Sequence, residues 1–118
     1  FSSVDFIIVV QALEGFCSRF RKESNLTDMI NLLIAEFSDI DKLQGDTINI
    51  KEVVDSRHYY SHFMDRMKKK NILDGYELYK LTIKLKKLLV CCLLNFVGFD
   101  NNDINMILNK CNNRLFAI

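Results

Sequence analysis

No proline occurs anywhere in this chain of 118 residues, and only 4 glycines do. A proline ring removes a backbone donor and clashes inside a helix, and each interior glycine weakens one by about 1 kcal/mol. Their scarcity leaves long stretches that nothing interrupts, and apolar residues recur there at helical spacing. The chain is therefore expected to be all-α, a bundle of about five helices with a long fourth one. Hydrophobic residues make up 49% of it, which excludes disorder, and its length suits one domain (1–118) with a real core.

The stripes can be placed residue by residue. Ser2 or Ser3 caps a first helix running to about residue 22, with Phe6, Val9, Val10, Leu13, Phe16, Cys17 and Phe20 inward and Gln11, Glu14, Ser18 and Arg21 opposite. Asn25 or Thr27 caps a second, with Ile30, Leu33, Ile34 and Phe37 inward. Residues 39–49 are polar, contain Gly45 and read as a loop. A third helix is expected over about 50–69, burying Val53, Val54, Tyr60, Met64 and Met67. After a turn at 71–75, the long fourth helix covers about 76–97. Its core side is Leu78, Leu81, Leu85, Leu88, Leu89, Cys92, Leu93 and Phe96, with Lys80, Lys84 and Lys87 facing water. Gly98 suits a left-handed helix stop over which Phe99 can pack back. Asn102 then caps a fifth helix with Ile104, Ile107, Leu108, Cys111 and Leu115 inward.

Several function classes are bounded by composition. A net charge of +1 gives no global field to recruit nucleic acid, so RNA binding would have to be local. The cysteines (Cys17, Cys91, Cys92, Cys111) contain no CxxC pair, and adjacent Cys91 and Cys92 are poorly placed for a disulfide. Their apolar surroundings imply buried thiols in a reducing compartment, hence a cytoplasmic location. The apolar run 88–97 contains Asn95 and falls short of the ~20 residues a membrane span needs, and no segment reads as a signal peptide. The chain starts at Phe1 without methionine, so an excised piece lacking an N-terminal region is expected.

Chemistry concentrates in Arg57-His58-Tyr59-Tyr60-Ser61-His62. A permanent cation stands five residues before an imidazole. RNA carries its own nucleophile, the 2′-hydroxyl. His62 could take its proton or protonate the leaving 5′-oxygen, and Arg57 could hold the phosphate and stabilise its growing charge. Positions five apart differ by about 140° around a helix, so one stripe does not carry both. A symmetric dimer joining two such helix ends would set two arginines and two histidines around one phosphate. No metal and no cofactor is required.

The stretch Val53-Val54-Asp55-Ser56-Arg57-His58-Tyr59-Tyr60-Ser61-His62-Phe63 resembles the R-x4-H motif of HEPN domains, most closely the branch in ApeA-type bacterial antiphage proteins. Ala12-Leu13-Glu14, Glu77-Leu78-Tyr79, Leu93-Leu94, Gly98-Phe99, Ile104 and Ile107 extend the resemblance over about residues 4–110. It implies a HEPN-type helical bundle that dimerises, with Arg57 and His62 as the catalytic residues of a ribonuclease site at the interface. It further implies a role in abortive infection, often with a sensor domain preceding this one. His58 departs from the asparagine usual after the arginine in that branch, and stands as a supporting residue. Glu14 matches a recurrent acidic residue, either reaching Arg57 across the bundle or standing solvated.

Other readings share these residues. His58 and His62, four apart, are a possible two-ligand metal site, but nothing evident completes it beyond Asp55 and Asp65 nearby in sequence, so no metal is assigned. Tyr59 and Tyr60 could stack bases or pack into the core or a dimer seam. Lys68, Lys69 and Lys70 could guide RNA or simply suit a helix C-terminus. Arg57 and His62 could themselves be solvated surface residues. The rival functions are an inactive HEPN module that dimerises or regulates, and an RNA-binding domain that does not cut.

Overall fold

The structure, a computed structural model, describes residues 3–62 and 71–111. Within them lie α1 (Ser3–Phe20), α2 (Leu26–Glu36), α3 (Ile50–His62), α4 (Gly75–Phe96) and α5 (Asn101–Lys110), with a 3₁₀ turn at Asp41–Leu43 and no strand. The all-α bundle and its long fourth helix are as expected. Ser2, the continuation of the third helix to residue 69 with Met64 and Met67, and Leu115 lie outside the described residues.

Helix ends follow local chemistry. Asn25, not Thr27, is the cap of α2; its side-chain oxygen accepts from the Asp28 amide at 3.2 Å. Gly98 ends α4 at φ +111°, where a Cβ would be strained. Its amide reaches the Asn95 carbonyl and that of Phe99 reaches Leu94, which satisfies two orphan carbonyls. Asp100 caps α5, accepting from the Asp103 amide at 2.9 Å. The cap thus falls two residues before the expected Asn102, because Asp100 is the one in extended conformation.

α1 is the central helix. It packs most extensively on α4 and also meets α2 and α3, while α5 lies against α4. Phe6, Val10, Leu13 and Cys17 of α1, Ile30 and Leu33 of α2, Phe37, Val53 of α3, and Leu85 and Cys92 of α4 are fully buried. Each large side chain so buried contributes about 1.5–3 kcal/mol. Burial also pushes the thiols of Cys91 and Cys92 up to about 12. All four cysteines are free, and all but the half-buried Cys111 lie in the core.

The expected stripes fail at their ends. Phe20 is 43% exposed, and Ile34, Leu93, Phe96 and Phe99 are exposed too. The inner seat beside Phe20 is taken by Arg21. Its guanidinium binds both carboxylate oxygens of Glu36 (2.8 and 2.7 Å), reaches the Asn95 side-chain oxygen (3.0 Å) and lies over the Phe16 ring. Phe20 therefore rests on Phe96 outside that pair, ring centroids 4.8 Å apart. Ile34 instead lines a hollow of about 200 Å³ beneath the 39–49 loop.

Two lysines of α4 differ from expectation as well. Lys84 donates to the Thr47 carbonyl (2.8 Å) and Lys87 to Asp46 (2.9 Å), so both strap the loop rather than face water. Long aliphatic stems let a lysine cross apolar surface to reach such partners. Lys80 is exposed and pairs with Glu77. From α5, Asn101, Asn105 and Asn109, one helical turn apart, bind Asp39 and Asp41 and hold the other side of the loop.

Candidate active site

The second half of α3 is fixed from one side by the chain that returns at Asn71. Val53, Ser56 and Tyr60 recur at helical spacing and turn toward the bundle. The fully buried Ser56 hydroxyl accepts from the Leu73 amide at 3.0 Å. The Tyr60 hydroxyl donates to the Leu73 carbonyl at 2.7 Å, and the Asn71 amide group donates to Asp55 at 3.2 Å. The Tyr60 ring meets Phe6 edge-on at 6.3 Å and Tyr59 at 4.9 Å. Three polar contacts and the ring contact with Phe6 thus set the rotation of this part of α3.

That rotation points Arg57 along α1. Its Nε and Nη2 donate to one oxygen of Glu14, at 3.3 and 3.2 Å. The two side chains are 30% and 25% exposed, so the pair adds little stability, at most about 1 kcal/mol, but it aims the guanidinium. Two of five guanidinium donors are used; among the described residues no other partner takes the rest. Of the two readings of Glu14, the structure has the one in which it reaches Arg57.

The histidines occupy the next stripe of α3. His62 is exposed and His58 half-buried, with ring centroids 5.0 Å apart and planes at 89°. No hydrogen bond joins Arg57 to His62 among the described residues. A braced, part-exposed cation and an exposed imidazole therefore lie close together along α3. The hollow beneath the 39–49 loop and a smaller one of about 150 Å³ at Phe99, Met106 and Ile107 both lie elsewhere. Among the described residues no group of three or more His, Cys, Asp or Glu could hold a metal ion. Lys68 and Lys69 lie outside the described residues.

Two contributors escaped the sequence reading. Ser56 and the backbone of Leu73 position this part of α3, although Ser56 follows Val53 by three and precedes Tyr60 by four. That spacing marks it as an inward polar residue in need of a partner. The paired Asp55 and Asn71 carried no signal, because their meeting depends on how the chain returns.

An all-α bundle whose third helix carries R-x4-H, the arginine braced from the first helix, has the design of a HEPN domain. The family model described as Apea-like HEPN matches residues 7–103, and the chain belongs to that family. Comparison with curated proteins and with solved structures gave no match. No helix among the described residues is long and apolar enough to cross a membrane.

Proposed function

We propose that this domain is a metal-independent endoribonuclease whose site is completed when two copies pair. One observation carries the reading: on one helix of an Apea-like HEPN domain, Arg57 is aimed by a single Glu14 oxygen while His62 stands open to solvent. In a two-fold dimer these groups, doubled, flank a phosphodiester. An imidazole takes the 2′-hydroxyl proton and the 2′-oxygen attacks phosphorus. The bond to the 5′-oxygen breaks as that oxygen receives a proton, leaving a 2′,3′-cyclic phosphate and a 5′-hydroxyl. The guanidinium offers its remaining donors to the phosphate oxygens as charge grows on them. DNA lacks the nucleophile and is spared.

Family membership supports the wider setting: a cytoplasmic antiphage protein that causes abortive infection, with a sensor domain in the same chain governing the nuclease. The test is RNA cleavage in excess EDTA with analysis of the product ends. Cyclic-phosphate ends from wild type, and none from His62→Ala, are expected; equal cleavage by His62→Ala removes the enzyme reading. His58, standing where the branch usually has asparagine, favours a second reading in which the domain dimerises or binds RNA without cutting it. That reading predicts RNA retention, weakened steeply by salt, with no cleavage.

A further inference from the structure

His58 and His62 are one helical turn apart, and they are the chain's 2 histidines. Their ring centroids lie 5.0 Å apart. Two imidazoles that share one metal ion need almost that separation. A metal–nitrogen bond of about 2.0–2.1 Å puts the ion about 3.2 Å from each ring centre. An angle of about 90–110° at the ion then separates the centres by about 4.5–5.2 Å. The rings now meet edge to face. Converging one nitrogen from each on a common point takes side-chain rotation alone, with the backbone of α3 left in place. The exposure of His62 lets an ion enter from solvent.

The ligand set selects the ion. Imidazole nitrogens favour Ni²⁺, Cu²⁺ and Zn²⁺ over Mg²⁺ or Ca²⁺, which prefer oxygen. Among the described residues no cluster of three or more ligating side chains exists, so the two rings are the ligands they supply, and an ion held by two side chains exchanges readily. Such a site regulates rather than builds. Burial raises the thiols of Cys17, Cys91 and Cys92, so all three compete poorly as ligands, which leaves Cys111 as the cysteine to control for.

We propose that His58 and His62 chelate one borderline transition-metal ion, and that this ion shuts the RNA-cleaving site by occupying the lone pair His62 uses for proton transfer. The shut-off rests on the ribonuclease reading; the chelate does not.

The experiment uses tag-free protein and Ni²⁺ as probe. Wild type and Cys111→Ser should be retained on immobilised Ni²⁺ and titrate with NiCl₂ in solution. His58→Asn and His62→Asn should each bind Ni²⁺ at least about tenfold more weakly, since losing a direct ligand costs no less than losing its hydrogen-bond partner. Wild type that is not retained, or His58→Asn that binds Ni²⁺ as tightly as wild type, overturns the chelate. In the cleavage assay, Ni²⁺ should stop wild type at a concentration at least about tenfold below that needed for His58→Asn, each judged against its own metal-free rate. Equal sensitivity overturns the shut-off. Protein that binds Ni²⁺ through both histidines yet never cuts RNA would remove the ribonuclease reading and leave the chelate standing.

Discussion

Two arginine–glutamate pairs among the described residues brace this bundle, and they are built differently. Arg21 meets Glu36 through two short bonds of 2.8 and 2.7 Å, adds Asn95 and lies over Phe16. Arg57 meets Glu14 through one oxygen at 3.2–3.3 Å. The first joins the ends of α1, α2 and α4 beside the buried thiols of Cys17 and Cys92, and Glu36 holds its guanidinium charged by raising an already high pKa. The second borders an open surface and an exposed imidazole. A doubly bonded, stacked guanidinium has its donors committed to the fold. A singly anchored one is aimed yet keeps donors for a phosphate, which is the arrangement expected where charge develops during a reaction.

The sharpest way to break this contrast is to remove each arginine. His62→Ala and Arg57→Ala should lower RNA cleavage by about 10²–10⁴-fold, the usual contribution of a positioned proton-transfer or charge-stabilising group. Thermal denaturation of Arg57→Ala should barely change, because Glu14 is left partly hydrated. If Arg57→Ala unfolds the protein as readily as it silences it, the two pairs are not distinct in kind.

Alkali separates the two ends in a second way. An unfolded thiol loses its proton near 9.0, whereas folded Cys91 and Cys92 hold theirs to about 12. Between those values the folded chain binds more protons than the unfolded chain, so stability falls as pH rises; below 9 it is fully retained. Each thiol contributes a slope of about 1.4 kcal/mol per pH unit in that window. The midpoint of thermal unfolding should therefore drop steeply from pH 9 to 11, and Cys92→Ala should flatten that drop. An unchanged slope in the variant would show that the Arg21 end is wetter than its packing implies.

Arg21→Ala comes next in size. It strips a half-buried carboxylate and an asparagine of their partner, and should cost about 1–3 kcal/mol in denaturant unfolding. Cleavage per folded molecule should stay at the wild-type level.

Much of the fold could be read from spacing, because Phe6, Val10, Leu13 and Cys17, or Leu78, Leu81, Leu85 and Leu88, repeat at helical intervals and all are buried. What escaped was decided by partners distant in sequence. Phe20 and Arg21 are neighbours about 100° apart around α1, and apolarity alone gives Phe20 the inner seat. Glu36 and Asn95 reverse the order, and no local pattern around residue 20 contains them. Lys84 and Lys87 sit on a polar stripe, and nothing in it tells that a loop forty residues earlier folds beneath their tips. At the site, Arg57 and His62 stand out by residue type and spacing. The partner of Arg57 on α1 does not stand out that way, since Glu14 lies among polar residues of a face that reads as solvated, and only the family resemblance offers it as a partner.

The smallest predicted effect tests that brace directly. Glu14→Gln keeps shape and a side-chain oxygen but removes the charge that aims the guanidinium. A guanidinium still present but less sharply directed should bind RNA as before and stabilise the transition state less well. The maximal rate should therefore fall by about tenfold to a hundredfold, the cost of a misplaced group, while the RNA concentration giving half that rate stays within about twofold. Thermal stability should shift by less than about 1 kcal/mol, as for other partly exposed pairs. A drop in RNA affinity at constant maximal rate would instead assign Arg57 to ground-state binding, and the contrast with Arg21 would then be one of exposure alone.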